Sequence, residues 1–294
     1  MKKGDIGIDI SQHQAYIDFN KLKTDNCKFV IIRIGWIGNK NNHTLDTYFE
    51  SYYQKAKESG FPVGIYVYNY CRSVVAVDSG CQWIEKHLQG KKIDLPIFID
   101  QEDKSILDVG KDTLTNMSTY FCDYFERRGY KAGVYANKNW FTNYLDINRL
   151  LNYKIWLAEW NSKITFKYKV DLWQYTSDGH FAGISGRVDT NKIMCDCVNN
   201  VEKPVENSEK NVESGVFVDM RTFVNNGNYK SLVFMDSNCT RTIGWLAKDE
   251  KCDCIGIFEN GNKERVVGVI YTITGSNPAN RKIGYTKLAN GRVI

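Results

Sequence analysis

A chain of 294 residues is long enough for one large domain and a small one, and 43% hydrophobic with 25% charged residues excludes a disordered or fibrous chain. The net charge of +5 comes without a block of five basic residues, so no nucleic-acid partner is expected. No run of 18 apolar residues occurs, and the start reaches Asp9 before any apolar stretch of useful length, so neither a membrane anchor nor a secretory signal is expected.

From Asp5 to Val198, short β-like runs alternate with amphipathic helical stretches. The expected strands are Gly7–Ile10, Phe29–Trp36, Val63–Tyr70, Leu95–Asp100, Ala132–Ala136, Lys154–Trp160, Val170–Tyr175 and Gly186–Thr190. Expected crossover helices are Thr44–Ser59, Val77–Leu88 and Asp112–Arg128, the last stopped by Gly129. Alternation of this kind predicts an α/β fold with a mostly parallel β/α (TIM-like) barrel. The polar stretch between Trp160 and Val170 is too short for a full helix, so the barrel should be irregular.

Residues 199–213 carry many charges and no apolar period, and read as a linker after a first domain at 1–198. Residues 214–294 are rich in β-branched and aromatic side chains. Turn signals fall at Asn226-Gly227, Glu259-Asn260-Gly261, Asn277-Pro278 and Asn290-Gly291, which predicts a small all-β domain. Nine cysteines leave at least one without an intramolecular partner, and reduced thiols are expected. The Cys195-Asp-Cys197 and Cys252-Asp-Cys254 triplets are too tightly spaced for a usual structural zinc site, so no metal or other cofactor is expected.

The chemistry concentrates in Pro96-Ile-Phe-Ile-Asp-Gln-Glu-Asp103, where an apolar strand runs into Asp100 and Glu102. A two-residue spacing puts both side chains on one face of a strand, at the barrel end where active sites sit. Two close carboxylates push one pKa upward and keep a proton available near neutrality. An isolated acidic cluster is more often a solvated turn, but Asp9 and Asp189 deliver further acids from other strand ends to the same rim. Tyr66, Tyr68, Tyr135, Trp156 and Trp173 are candidates for holding sugar faces, as is Trp160, although strand alternation sends about half of such residues into the core.

Several short pieces occur in order: Asp-Ile-Ser at Asp9, Phe-Val-Ile-Ile-Arg-Ile-Gly at Phe29–Gly35, Gly-Ile-Tyr ending at Tyr66, and Asp-Gln-Glu ending at Glu102. They continue with Gly-Val-Tyr-Ala-Asn at Gly133–Asn137, Trp-Leu-Ala-Glu ending at Glu159, Trp-Gln-Tyr-Thr ending at Thr176, and Gly-Ile-Ser-Gly-Arg-Val-Asp ending at Asp189. Together they resemble glycoside hydrolase family 25, the Chalaropsis-type lysozymes, over roughly two thirds of the chain. The resemblance implies an irregular β/α barrel that cuts the β-1,4 bond after N-acetylmuramic acid in peptidoglycan. It also implies that Glu102 is the general acid, with Asp100, Asp9 and Asp189 completing an acidic floor. Anomeric configuration would be retained, with an aspartate or the substrate's own N-acetyl oxygen as nucleophile. The loop Asn69-Tyr-Cys-Arg72 departs from the pattern of many relatives.

Asn280–Leu288 resembles more weakly the closing strand of Src-homology-3-like (SH3-like) wall-binding domains. The whole would suit a phage or prophage endolysin that accumulates in the cytoplasm and reaches the wall through a holin. Two other readings remain open: a non-catalytic wall-binding protein on the same scaffold, and another carboxylate glycosidase such as a chitinase. The longer Asp-rich strand motif of chitinases does not occur here.

Overall fold

A computed structural model describes residues 1–196 and, beyond them, seven strand segments between 222 and 293. The chain divides into two compact units, residues 1–208 and 209–294. In the first, eight strands form a closed ring: β1 (Ile6–Ile10), β2 (Val30–Ile37), β4 (Val63–Asn69), β5 (Ile97–Asp100), β6 (Ala132–Asn137), β7 (Lys154–Ala158), β8 (Leu172–Gly179) and β9 (Val188–Ile193). Pairing of β1 with β2 closes the barrel, and the two-residue β3 (Thr44–Leu45) adds to the outside edge of β2.

All eight expected strands form. β1, β2, β4, β5, β6, β7 and β8 run parallel in that order, while β9 is antiparallel to both β8 and β1. That reversal decides the site. The start of β9 lies beside the C-terminal half of β1, with Asp189 directly opposite Asp9. A regular parallel barrel would send Asp189 to the other end.

Helices α2 (Phe49–Glu58), α3 (Val74–Leu88) and α4 (Lys111–Glu126) form near the expected positions, and α1 (Phe19–Thr24) is an addition. Residues 44–45, expected as helix, pair with β2 instead. Ser73 caps α3 by accepting from the Ala76 N–H, and Asp18 caps α1 by accepting from the Lys21 N–H. Gly129 follows α4 at φ +88°, a left-handed conformation that favours glycine at a helix end. No helix joins β7 to β8, as the short polar connection requires.

The helices cover the outer face of β2, so Val30, Ile31, Ile32 and Ile34 are buried on both faces of the strand. Inside, Trp156 is 1% exposed and packs edge-on against Tyr66, Phe98 and Tyr135. Glycines make room there: a Cβ on Gly7 would come within 2.6 Å of the Phe29 ring, and one on Gly133 within 2.7 Å of the Phe98 ring.

The second unit contributes β10 (Thr222–Val224), β11 (Ser231–Phe234), β12 (Thr242–Leu246), β13 (Lys251–Glu259), β14 (Arg265–Thr272), β15 (Arg281–Lys287) and β16 (Arg292–Val293). They form one antiparallel sheet in the order β12-β11-β15-β14-β13-β10-β16. This agrees with an all-β reading of the tail. The segment 280–288 supplies β15, an interior strand between β14 and β11. The expected linker 199–213 and the turns at 226–227, 260–261, 277–278 and 290–291 lie outside the described residues.

Cys27, Cys71, Cys81 and Cys122 are free and buried, whereas Cys195 is disulfide-bonded, against the expectation of reduced thiols throughout. That expectation came from compartment and composition, which say nothing of how close two sulfurs lie. Among the described residues no helix is long and apolar enough to cross a membrane.

Candidate active site

β5 ends at Asp100, so Glu102 stands just beyond the strand rather than on it. The following segment is nevertheless held. The Gln101 N–H continues the ladder to the Tyr135 carbonyl at 2.9 Å. Its buried side chain faces away from the barrel interior, accepting from Asn69 Nδ2 at 3.1 Å and donating to Ser118 Oγ on α4 at 3.0 Å. Alternation about this anchored residue returns Glu102 to the side of Asp100.

Asp9, Asp100, Glu102 and Asp189 converge on this rim. Asp9 and Asp100 are 5% and 3% exposed, whereas Glu102 is half-buried and open to a substrate. Asp9 Oδ2 accepts from Asn191 Nδ2 at 2.7 Å and Gln174 Nε2 at 3.0 Å. The amides cannot flip, because Gln174 Oε1 accepts from Tyr135 Oη and Trp160 Nε1, both at 3.1 Å, and Asn191 Oδ1 accepts from Trp156 Nε1 at 2.8 Å. Asp100 differs: its buried Oδ1 has no hydrogen-bond partner among the described residues.

Burial raises every acid of the cluster, and repulsion between carboxylates adds to it at Asp9, Asp100 and Glu102. Burial, then Asp189, pushes Asp9 up to about 8, against the lowering effect of its two amide donors. Burial, then Glu102 and Asp9, lifts Asp100 well above the carboxylate range, opposed by Arg33. Glu102 is raised by burial, then by Asp189 and Asp103, and Asp189 is raised by burial. Four such acids cannot all ionise together, so the site holds protons near neutrality. Among the described residues no three His, Cys, Asp or Glu side chains are grouped as a metal site.

Beside the acids opens a cavity of about 680 Å³ lined by Gln12, Arg33, Trp36, Asn39, Tyr68 and Tyr70, among others. Tyr68 joins the two regions: its Cα pairs with Asp100 across β4 and β5, and its hydroxyl donates to Asp103 Oδ2 at 3.1 Å. The rings of Tyr68 and Tyr70 lie 4.8 Å apart.

Of the aromatics expected to meet sugar, only Tyr68 lines this cavity. Trp156 is corrected to core, since it lies in the barrel interior at 1% exposure. Trp173 is corrected as well: it sits on the opposite face of β8 from Gln174 and donates its indole N–H to the Glu159 carbonyl. Tyr66 is half-buried, packs on Trp156 and stands among the acids, since Asp9, Asp100 and Asp189 add to burial in raising its hydroxyl, whereas Tyr135 holds Gln174 with only 8% exposed. Tyr70, Trp36, Arg33, Gln174 and Asn191 were not among the expected site residues. Trp160 is 63% exposed where its indole N–H bonds Gln174, making it the open aromatic face on that side.

Residues 8–184, more than half of the chain, match glycosyl hydrolases family 25. The chain belongs to that family. A 188-residue segment is 26% identical to the autolytic lysozyme of Clostridium acetobutylicum, covering 64% of this family 25 chain and 55% of that protein. Among solved structures, the modular autolysin LytC of Streptococcus pneumoniae, in complex with a synthetic peptidoglycan ligand, is similar at 23% identity and a TM-score of 0.58. The likeness covers 64% of this chain and 46% of that one. The spore cortex lytic enzyme SleM of Clostridium perfringens is similar at 18% identity and a TM-score of 0.57 over 97% of this chain and 98% of that one. At these identities the structural likenesses are likenesses of fold, and SleM extends the likeness beyond the family 25 barrel.

Proposed function

We propose that the protein is a muramidase, hydrolysing the β-1,4 bond between N-acetylmuramic acid and N-acetylglucosamine in bacterial peptidoglycan. The observation that carries this reading is the convergence of four carboxylates on one barrel rim, with a half-exposed Glu102 beside an aromatic-lined cleft, in a family 25 chain. Glu102 is the proton donor in this reading: like Asp189 it combines access to solvent with a raised proton affinity, and it also stands beside Asp100 on a segment anchored by Gln101, where the family resemblance puts the acid. Its proton passes to the glycosidic oxygen as the bond from the anomeric carbon to that oxygen breaks. Asp100, Asp9 and Asp189 face the developing positive charge. An aspartate or the substrate's N-acetyl oxygen holds the anomeric carbon until water adds its hydroxyl there and returns a proton to Glu102.

Loss of turbidity from purified peptidoglycan, with chitin left intact, is the expected result. Cleavage of chitin at a comparable rate would favour a different carboxylate glycosidase, and inactivity on both would favour the wall-binding alternative.

The same reading takes residues 214–294 as an SH3-like wall-binding domain joined by a polar linker, supported by the all-β sheet of that unit. A fragment of those residues should decorate Gram-positive cell walls. A folded fragment that stays in the supernatant with every wall tested would contradict this part. A role in phage or prophage lysis, with cytoplasmic accumulation and release through a holin, completes the proposal. Cells expressing the protein alone should then stay intact until their membrane is permeabilised, and spontaneous lysis would contradict it.

A further inference from the structure

Arg33 is a charge inside the otherwise apolar strand Val-Ile-Ile-Arg-Ile-Gly-Trp-Ile, and it is 9% exposed at the wall of the cleft. A buried guanidinium needs compensation. Asp46 supplies it on one edge: Nε donates to Asp46 Oδ2 at 2.8 Å, and Nη2 lies at ion-pair distance, also 2.8 Å, from the same oxygen. That carboxylate is shared, because Oδ2 also accepts the Gln12 N–H at 3.0 Å and Oδ1 the Tyr48 N–H at 3.0 Å. Nη2 is buried and meets Asp46 as an ion pair without a hydrogen bond, which leaves Nη1, with no hydrogen bond among the described residues, as the donor outside the Asp46 contact.

The surroundings favour an anion. No carboxylate lines the cleft, whose polar groups near Arg33 are amides, hydroxyls and His13, and the Trp36 ring lies 5.9 Å from the guanidinium carbon. The rim is therefore polarised, with acids at one end and a fixed, partly compensated cation in the adjoining cleft. Arg33 also acts on Asp100, opposing the rise in its proton affinity, but a neutral sugar alone gives no partner to Nη1. The muramoyl residue of peptidoglycan differs from its glucosamine neighbour in carrying a lactyl arm, which ends in a carboxylate or continues into a peptide stem with carboxylates of its own.

We propose that Arg33, pinned by Asp46, binds a carboxylate on the muramoyl substituent and thereby fixes which way round a glycan strand lies across the acids. The inference rests on the muramidase reading and adds a specificity-determining residue to it. A guanidinium suits the task because it stays charged at any working pH, and the edge held by Asp46 already orders the Nη1 donors.

The test compares kcat/KM of the full chain on four preparations of glycan strands. Two lack stems and carry the lactyl carboxylate or its methylamide; two bear stems with free or amidated carboxyl groups. Wild-type protein should prefer the carboxylate member of one pair by roughly 10- to 100-fold, the range of a charge-assisted hydrogen bond. The pair that responds identifies the lactyl arm or the stem as the source. Arg33→Met combined with Asp46→Asn, which removes both charges of the buried pair, should bring the ratio close to one. Arg33→Lys, which keeps the charge but cannot both hold Asp46 by one edge and present an ordered second donor, should reduce it several-fold and serves if the double variant does not fold. Equal wild-type rates within both pairs, or a preference that survives these changes, would overturn the inference while leaving the muramidase reading intact. No cleavage of any strand would remove the muramidase reading and this inference together.

Discussion

Glu102→Gln is expected to lower turnover of peptidoglycan by roughly 10²–10⁴-fold, the usual contribution of a general acid, with fold and glycan binding retained. The amide keeps the size of the side chain and loses the transferable proton. Burial and the charges of Asp189 and Asp103 raise the wild-type carboxyl, so the alkaline limb of the pH profile should lie above the ordinary glutamate range. Asp189→Asn removes one of those charges and should move that limb to lower pH. Asp103 is unsuitable as an inert control, because it acts on Glu102 and accepts from the Tyr68 hydroxyl. Asp112, exposed in the first turn of α4, is suitable, and Asp112→Asn should leave turnover within a few-fold of wild type. If Glu102→Gln is no more damaging than Asp112→Asn, the assignment of the acid fails.

The second large effect is on stability, and it runs opposite to activity. Asp9 is held in the fold with its pKa pushed up from 3.8 to about 8, chiefly by burial and then by Asp189. The folded state therefore binds this proton more tightly than the unfolded chain. The corresponding stability is fully present below about pH 4 and is lost as pH rises through about 8. Asn in this place stays neutral at every pH, and its one carbonyl oxygen can still accept from Asn191 and Gln174, since both donate to the same oxygen of Asp9. Asp9→Asn should thus be more stable than wild type at pH 8 by on the order of a few kcal/mol. For a barrel of this size that is roughly 5–10 °C in Tm, and the gain should vanish near pH 4. Hydrolysis should fall strongly in the same variant. A Tm difference that is absent at pH 8, or equal at pH 4 and pH 8, would show that Asp9 carries no such burden.

The barrel was legible because each strand is an apolar run bounded by turn residues, and the helices between them keep a 3.6-residue period. The direction of β9 was not legible. Position alone put Asp189 with the other acids, yet its place on the rim depends on a reversal that local pattern does not encode. The acids could be found because charges after apolar strands stand out. Gln174 and Asn191 carry a weaker signal, as polar residues at inward positions of strands that are otherwise packed, and only their pairing with Asp9 gives them meaning. Arg33 carried the clearest missed signal, a charge amid six aliphatic and aromatic neighbours, whose partner Asp46 lies 13 residues away on the loop after β3. Trp156 and Trp173 were misplaced for a related reason. Tryptophan on a strand can face the mouth, the interior or the helices, and sequence spacing separates faces without saying how deep each residue lies.

The most direct test of the account is the chemistry of the ends that the protein creates. Peptidoglycan digested to completion, reduced with borohydride and analysed by mass spectrometry should carry reduced muramic acid at each new end, as cleavage after N-acetylmuramic acid requires. New ends carrying reduced glucosamine, or peptide cleavage with intact glycan strands, would contradict it.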